Sequence, residues 1–345
     1  ISPYESHLIG DTQIFAPSLL VIIMKYRDLG RTGLKVSEVS LGTWAFGSPS
    51  IYGSVDESDA HRAIRGALDA GITFFDTAPL YGTKNADGIA EQVLGAGIGA
   101  DRDKVCIATK FGRYHSRVHT NELFDGETVI WSVEQSLNRL GTDRLDVLFF
   151  HSPTHPDKIK DDVWTALENL KRSGKIRFVG LSCGFIADTA DMTTTWATDG
   201  RIDVAQIAYS LMNREWEPII AEIGTKGVGI VARESLANGF LAGVFTKDTI
   251  FPDGSLNARY PREEISERVE TVDNYKALLV RKDVTSMAQA AMRWAIDNPH
   301  VSTVLSGSRK LGEILECAGA SDSASYTDDE LVAARRLHVK DFSPA

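Results

Sequence analysis

The stretch "DESDAHRAIRGALDAGITFFDTAPLYG" (Asp56 to Gly82) holds one complete structural unit. Its first half puts Ala60, Ile64, Ala67 and Leu68 on one face of a helix, with acidic residues in the first turn, where they complement the positive end of the helix dipole. Gly71 ends that helix. Apolar and β-branched residues then run straight into Asp76, which is a strand signal, and Tyr81 follows in the turn beyond.

The same unit recurs along the chain. Short apolar runs lie at 39–43, 73–76, 105–110, 146–151, 178–182, 204–209, 229–233 and 302–307. Amphipathic segments separate them: 127–141, with Val129, Val133, Leu137 and Leu140 apolar and Gly141 closing it, and 161–175, stopped at Gly174. Strands apolar on both faces and joined by single helices belong in a parallel sheet with helical cover. Eight such units predict an α/β fold of the (β/α)8 TIM barrel type. An open doubly wound sheet would instead place a glycine-rich turn directly after its first strand. "LGAGIGA" (94–100) follows a helical segment beginning near Ile89, and reads as a helix stop and loop.

Two segments depart from the alternation. "YRDLGRTGLKVS" (26–37) predicts an N-terminal β-hairpin that plugs the bottom of the barrel. The stretch 234–261, after the seventh strand, is long and rich in Gly and Pro, as functional loops at a barrel rim are.

The chain has 345 residues, 43% of them apolar, and a formal charge of −10. Such an acidic chain has no general electrostatic reason to seek nucleic acid or an anionic membrane. Cys106, Cys183 and Cys317 lie far apart, so neither a disulfide framework nor a metal site is expected, and a reducing, cytoplasmic setting is. "IFAPSLLVIIM" (14–24) is too short to span a bilayer and contains Pro17. Residues 1–24 read as a leader outside the fold, with a single barrel domain over 25–345. Trp131, Trp164 and Trp196 are expected in the core, and a homo-oligomer is left open.

The chemistry is expected where barrel strands end. The second run ends in Asp76 and leads to Tyr81, the third ends in Lys110 and the fourth in His151. Singly, Asp76 reads as a helix cap, Lys110 as an exposed lysine and His151 as a loop-bonding group. Jointly they describe a site. A phenol beside an ammonium is expected to have its pKa lowered from about 10, with Asp76 holding the lysine and His151 orienting a substrate oxygen. That set donates a proton to an oxygen gaining negative charge, as a carbonyl does on receiving hydride. With no nucleophile–base pair or metal cluster in the sequence, the hydride would come from a bound cofactor.

"RDLGRTGLKVSEVSLGTWAFG", "FFDTAPLYG", "VCIATKFG", "SVEQSLNRLGTDRLDVLFFHSP", "LKRSGKIRFVGLS" and "NREWEPIIAE" together resemble the aldo-keto reductases, over Tyr26 to about Leu337. The sequence is most similar to the bacterial branch that includes the β-subunits of voltage-gated potassium channels. The resemblance implies a barrel that binds a nicotinamide cofactor in extended form, with the catalytic tetrad at Asp76, Tyr81, Lys110 and His151. It implies cofactor contacts at Thr43, Trp44 and Asp76, at Ser182 and Cys183, where an asparagine is usual in place of the cysteine, and at Gln206 under the nicotinamide. Arg233 would lie against the ring, with Ser235, Leu236 and Asn238 along the pyrophosphate. Gly307, Ser308, Arg309, Glu313 and Cys317 would meet the adenosine end. Arg309 and Lys310 point to NADPH, while the Glu313 carboxylate suits the ribose hydroxyl of NADH.

Trp44 and Phe46, together with Arg113, Tyr114, His115, Arg117 and His119 in the third loop, are expected to wall a pocket for a polar, sugar-like carbonyl, with Tyr81 and His151 at its reactive end. The same machinery run backwards is a sugar dehydrogenase. A non-catalytic nicotinamide-sensing subunit and a phosphate-handling barrel isomerase or lyase are the other classes considered.

Overall fold

The computed structural model describes residues 22–49, 55–116 and 123–342. Ten strands are present among the described residues. β1 (Tyr26–Asp28) and β2 (Lys35–Ser37) form an antiparallel hairpin in which Tyr26 pairs with Ser37. The other eight, β3 (Val39–Gly42), β4 (Phe74–Asp76), β5 (Cys106–Phe111), β6 (Leu145–His151), β7 (Ile176–Ser182), β8 (Val204–Ala208), β9 (Gly229–Arg233) and β10 (Val301–Ser306), close in chain order into one parallel barrel, with β10 against β3. Each expected strand is found, with ends shifted by no more than a few residues.

The helices form where the apolar spacing places them. In Glu57–Asp69, Ala60, Ala63, Ile64 and Ala67 are buried, and the Asp56 carboxylate caps the first turn by accepting from the Ser58 and Asp59 amides. Helix Gly126–Leu140 follows the same plan with Asp125 as its cap, and Asp162–Arg172 buries Val163, Ala166, Leu167 and Leu170 without a side-chain cap. Their apolar faces and the outer faces of the strands make the main core, which includes Trp196 and has Trp164 packed against it. Each large aliphatic side chain fully buried there contributes roughly 1.5–3 kcal/mol.

"LGAGIGA" is helical for longer than expected. The helix Ile89–Ile98 runs through Gly95 and Gly97 before Gly99 ends it. A Cβ on Gly95 would lie 2.4 Å from the Leu140 carbonyl oxygen, so this glycine serves close helix packing and not a phosphate turn.

The hairpin closes the N-terminal end of the barrel. Leu29 and Val36 are buried in one cluster with Phe74, Cys106, Val147, Phe149, Val204 and Val231 of the barrel strands. Gly30 makes that approach possible: its φ is 53°, and a Cβ there would lie 2.2 Å from the Gly229 nitrogen. Ile22 and Met24 pack on the core; the rest of the expected leader lies outside the described residues. The connection after β9 contains 3-10 turns at Ala237–Ala242 and Leu256–Arg259, then helices Arg262–Leu279 and Met287–Ile296. A cavity opens at the C-terminal ends of the strands, the end opposite the hairpin.

Candidate active site

β4 ends in Asp76, β5 carries Lys110 as its next-to-last residue and β6 ends in His151, while the loop after β4 brings Tyr81 over them. Lys110 Nζ donates to both Asp76 carboxylate oxygens, at 2.7 and 2.8 Å, to the Thr77 carbonyl at 2.9 Å and to Tyr81 Oη at 3.1 Å. Because the ammonium occupies an acceptor position on Oη, the phenolic hydrogen is left to point elsewhere. Lys110 is 1% exposed and Asp76 2%.

Burial pulls the Lys110 ammonium down, but Asp76 and Tyr81 outweigh it and leave its pKa raised. For Tyr81, burial pushes the phenol up, Lys110 pulls it down and Asp76 pushes it up again, with a net rise. The expectation of a lowered phenol pKa is therefore corrected: desolvation wins over the ammonium. His151 packs edge-on to Tyr81, ring centres 6.0 Å apart. Burial, then the charges of Lys110, Arg113 and Arg233, hold its pKa well below the usual imidazole value, so it is neutral at physiological pH. Its buried Nδ1 has no hydrogen-bond partner among the described residues.

A further bond ties this set together. Gln206 Nε2 donates to Asp76 Oδ2 at 2.8 Å, and Ser182 Oγ donates to Gln206 Oε1 at 3.1 Å. Hydrogen bonds thus run unbroken from Ser182 on β7 through Gln206, Asp76 and Lys110 to Tyr81. No local sequence signal marks the Gln206–Asp76 bond.

A cavity of about 680 Å³ opens over these residues, a size that suits a ligand and cofactor. Trp44, Asp76, Tyr81, Arg113, His151, Ser182, Gln206, Arg233, Ser235, Leu236, Asn238, Gly307, Ser308, Glu313 and Cys317 line it. Trp44 stacks on Tyr81 at 6.0 Å. Arg233 donates to the Cys183 carbonyl at 3.0 Å and pairs with Glu234, so it lines the cavity and also makes the ion pair. Ser152, Glu234, Ala237 and Asn238 are the non-glycine residues with positive φ among those described, and three of the four line the cavity. Backbone strain is concentrated where function is expected.

Other expectations are corrected. Thr43 is fully buried, its hydroxyl donating to the Asp76 carbonyl at 3.0 Å, and it braces β3 against β4 outside the cavity wall. The Cys183 thiol turns away from the cavity onto Thr193 Oγ1 at 3.4 Å, and burial pushes it up to about 12; Gly184 takes its place in the wall. Phe46 is in the core at 6% exposure. Tyr114 also turns inward, accepting from the Gly112 amide at 2.9 Å and meeting Trp131 edge-on at 5.1 Å. His115 bonds the Leu80 carbonyl at 3.0 Å. Arg117 and His119 lie outside the described residues. Among the described residues of the loop, Arg113 is the basic group on the cavity, donating to the Ser152 carbonyl at 2.6 Å.

At the far end, Arg309 lines a neighbouring groove with Asp56, Asp59 and Arg62, and Lys310 pairs with Glu313 at 3.1 Å. Glu313 and Glu316 both face the main cavity. Burial pushes the Cys317 thiol up to about 11, so it is an uncharged part of the wall.

The lining fits a nicotinamide dinucleotide: a guanidinium plane at Arg233, hydroxyl and amide groups at Ser182, Gln206, Ser235 and Asn238, and open backbone at Gly307, where an added Cβ would meet nothing within 4 Å. Among the described residues no cluster of three or more His, Cys, Asp or Glu could hold a metal, and no helix is long and apolar enough to cross a membrane.

Comparison with known proteins agrees with this barrel. The model of the Aldo/keto reductase family matches residues 38–337, and the chain belongs to that family. It is an NAD(P)-dependent oxidoreductase. It is 30% identical over 306 residues to L-galactose dehydrogenase of Arabidopsis thaliana, covering 86% of this chain and 88% of that one. It is 28% identical over 328 residues to a probable voltage-gated potassium channel β subunit of Oryza sativa subsp. japonica, covering 90% and 94%. Among solved structures, an aldo-keto reductase from Bacillus halodurans in its holo form superposes with a TM-score of 0.74 at 24% identity, covering 93% of this chain and 98% of that one, a likeness of fold.

Proposed function

We propose that the enzyme reduces a polar, sugar-like aldehyde or ketone to the alcohol, with Tyr81 as the proton donor. The observation that carries this reading is the 3.1 Å contact between Lys110 Nζ and Tyr81 Oη at the mouth of the cavity. A raised phenol pKa keeps the donor protonated at neutral pH. As the proton leaves, the buried ammonium stabilises the phenolate, and Asp76, anchored by Gln206, keeps the ammonium in place. Neutral His151 can donate to the substrate oxygen without competing as a cation, which orients the carbonyl toward Oη.

The cofactor supplies the hydride when bound, and Ser182, Gln206, Arg233, Ser235, Leu236, Asn238, Gly307 and Ser308 would hold it. The expectation of NADPH rested on Arg309 and Lys310. With Arg309 on the neighbouring groove, Lys310 paired to Glu313, and two carboxylates on the cavity, the charge at this end supports NADH, whose ribose hydroxyl a carboxylate can accept from.

A sugar-like substrate is supported by the flat face of Trp44, by Arg113 on the cavity and by the relationship to L-galactose dehydrogenase. The same groups run the reverse oxidation. Following NADH and NADPH consumption with a panel of aldoses, short hydroxyaldehydes and hydrophobic aldehydes tests the reading. It predicts higher kcat/KM for the polyhydroxylated carbonyls. Nucleotide binding without turnover of any of them would contradict it and point to a sensing subunit.

A further inference from the structure

The connection after β9 turns sharply as it joins the cavity wall. Glu234, Ala237 and Asn238 have φ of 55°, 47° and 56°, left-handed backbone that side chains disfavour. Such a turn persists only where its surroundings hold it. Behind it, on the side away from the cavity, lies Arg268 of helix Arg262–Leu279, 1% exposed. Its guanidinium packs on three rings, Tyr260 at 4.1 Å, Phe342 at 4.6 Å and Phe240 at 5.3 Å, and pairs with Glu264 at 2.6 Å.

These partners join the cavity to a strap, residues 338–342, that follows the helix Asp328–Leu337. Asn238 Nδ2 donates to Tyr260 Oη at 3.2 Å, so one of the rings on Arg268 also fixes a cavity-lining side chain. Phe342 is pinned from the other side: its amide donates to the Met212 carbonyl at 2.8 Å and its carbonyl accepts from Asn213 Nδ2 at 3.2 Å. The space left among Glu234, Asn238, Arg268 and Phe342 is about 10 Å³, at most one water. Burying a guanidinium against one carboxylate and three aromatic faces carries a large desolvation penalty, and a planar cation is the group that can stack there.

We infer that Arg268 is a positioning residue for dinucleotide binding: clamped by Phe342, it holds the Glu234–Asn238 turn in the shape that lines the cavity. This rests on the reading of that turn as part of the dinucleotide wall. The strap is then a working part of the binding site although it touches no ligand, and loosening it weakens nucleotide binding and leaves the proton donor untouched.

The test measures dinucleotide Kd by calorimetry, with kcat at saturating nucleotide and Tm, for the wild type and for Phe342→Ala, Phe342→Tyr, Arg268→Lys, Asn238→Ala and Leu170→Ala. The last is a core truncation on helix Asp162–Arg172, remote from the turn. We expect Kd to rise about tenfold in Phe342→Ala and Arg268→Lys, with kcat within about twofold of wild type. Phe342→Tyr should bind like the wild type, and Leu170→Ala should lower Tm at unchanged Kd. Unchanged Kd in Phe342→Ala, or an equal rise in Leu170→Ala, overturns the inference. If Arg268→Lys fails to fold, Phe342→Ala decides. If Asn238→Ala binds as tightly as the wild type, the turn is not a dinucleotide wall and the underlying reading fails; if Asn238→Ala weakens binding and Phe342→Ala does not, only the inference fails.

Discussion

Gln206 Nε2 donates to Asp76 Oδ2 at 2.8 Å across the barrel, from a strand 130 residues later in the chain. The carboxylate that holds the Lys110 ammonium is thus itself held, and its freedom to leave the lysine is removed. Gln206→Leu should lower kcat/KM about tenfold, since a lost bond to a buried charge is worth roughly 1–3 kcal/mol. Asp76→Asn should do more, because it leaves a buried ammonium without a counter-charge, a change that costs about 3–5 kcal/mol of stability. Steady-state kinetics and thermal melts of both variants measure this. Wild-type kinetics in Gln206→Leu would show the bond to be incidental.

His151 gives a pH prediction with a defined sign. Its folded pKa lies well below 6.5, so between 6.5 and that lower value the unfolded chain binds a proton that the folded chain does not. Stability therefore falls as pH drops below about 6.5, by up to roughly 1.4 kcal/mol per pH unit from this group. His151→Asn should flatten the decline between pH 7 and pH 5 in denaturant titrations. An identical slope in wild type and variant would mean the imidazole is protonated as easily folded as unfolded.

Glu313 should set nucleotide preference. Glu313→Gln frees Lys310 and removes one carboxylate from the cavity, so NADPH affinity should improve relative to NADH by about tenfold, or roughly 1.4 kcal/mol. The ratio of the two Kd values in wild type and variant measures it, and an unchanged ratio would place the discrimination elsewhere.

Leu29, fully buried in the hairpin, should act on stability alone. Leu29→Ala should cost about 2–5 kcal/mol, as large-to-small changes in a packed core do, with kcat/KM unchanged because the plug lies at the opposite end from the chemistry. A fall in kcat/KM at temperatures where the variant is fully folded would show that the two ends are coupled.

Much of the fold was legible because its signals are local. Apolar spacing and an acidic first turn mark several helices, Gly141 closes the helix Gly126–Leu140, and a run ending in Asp76, Lys110 or His151 marks each reactive strand end. Period-two alternation also places Cys183: with Ser182 facing the cavity, its neighbour has to face the helices, as it does. Loop side chains were less readable. Phe46 and Tyr114 turn inward because core space and the Gly112 amide receive them, and nothing within those loops announces it. The phenol's pKa was misjudged because the charge of Lys110 is visible in the sequence and the depth of burial is not.

The proposed proton transfer rests on the hydroxyl of Tyr81, and Tyr81→Phe tests it most directly. Removing only that oxygen should reduce kcat for carbonyl reduction by about 10²–10⁴, the usual contribution of a positioned general acid. Nucleotide Kd, measured on the same protein, should stay close to the wild-type value. A Tyr81→Phe enzyme that keeps wild-type kcat with a polyhydroxylated aldehyde would contradict the account.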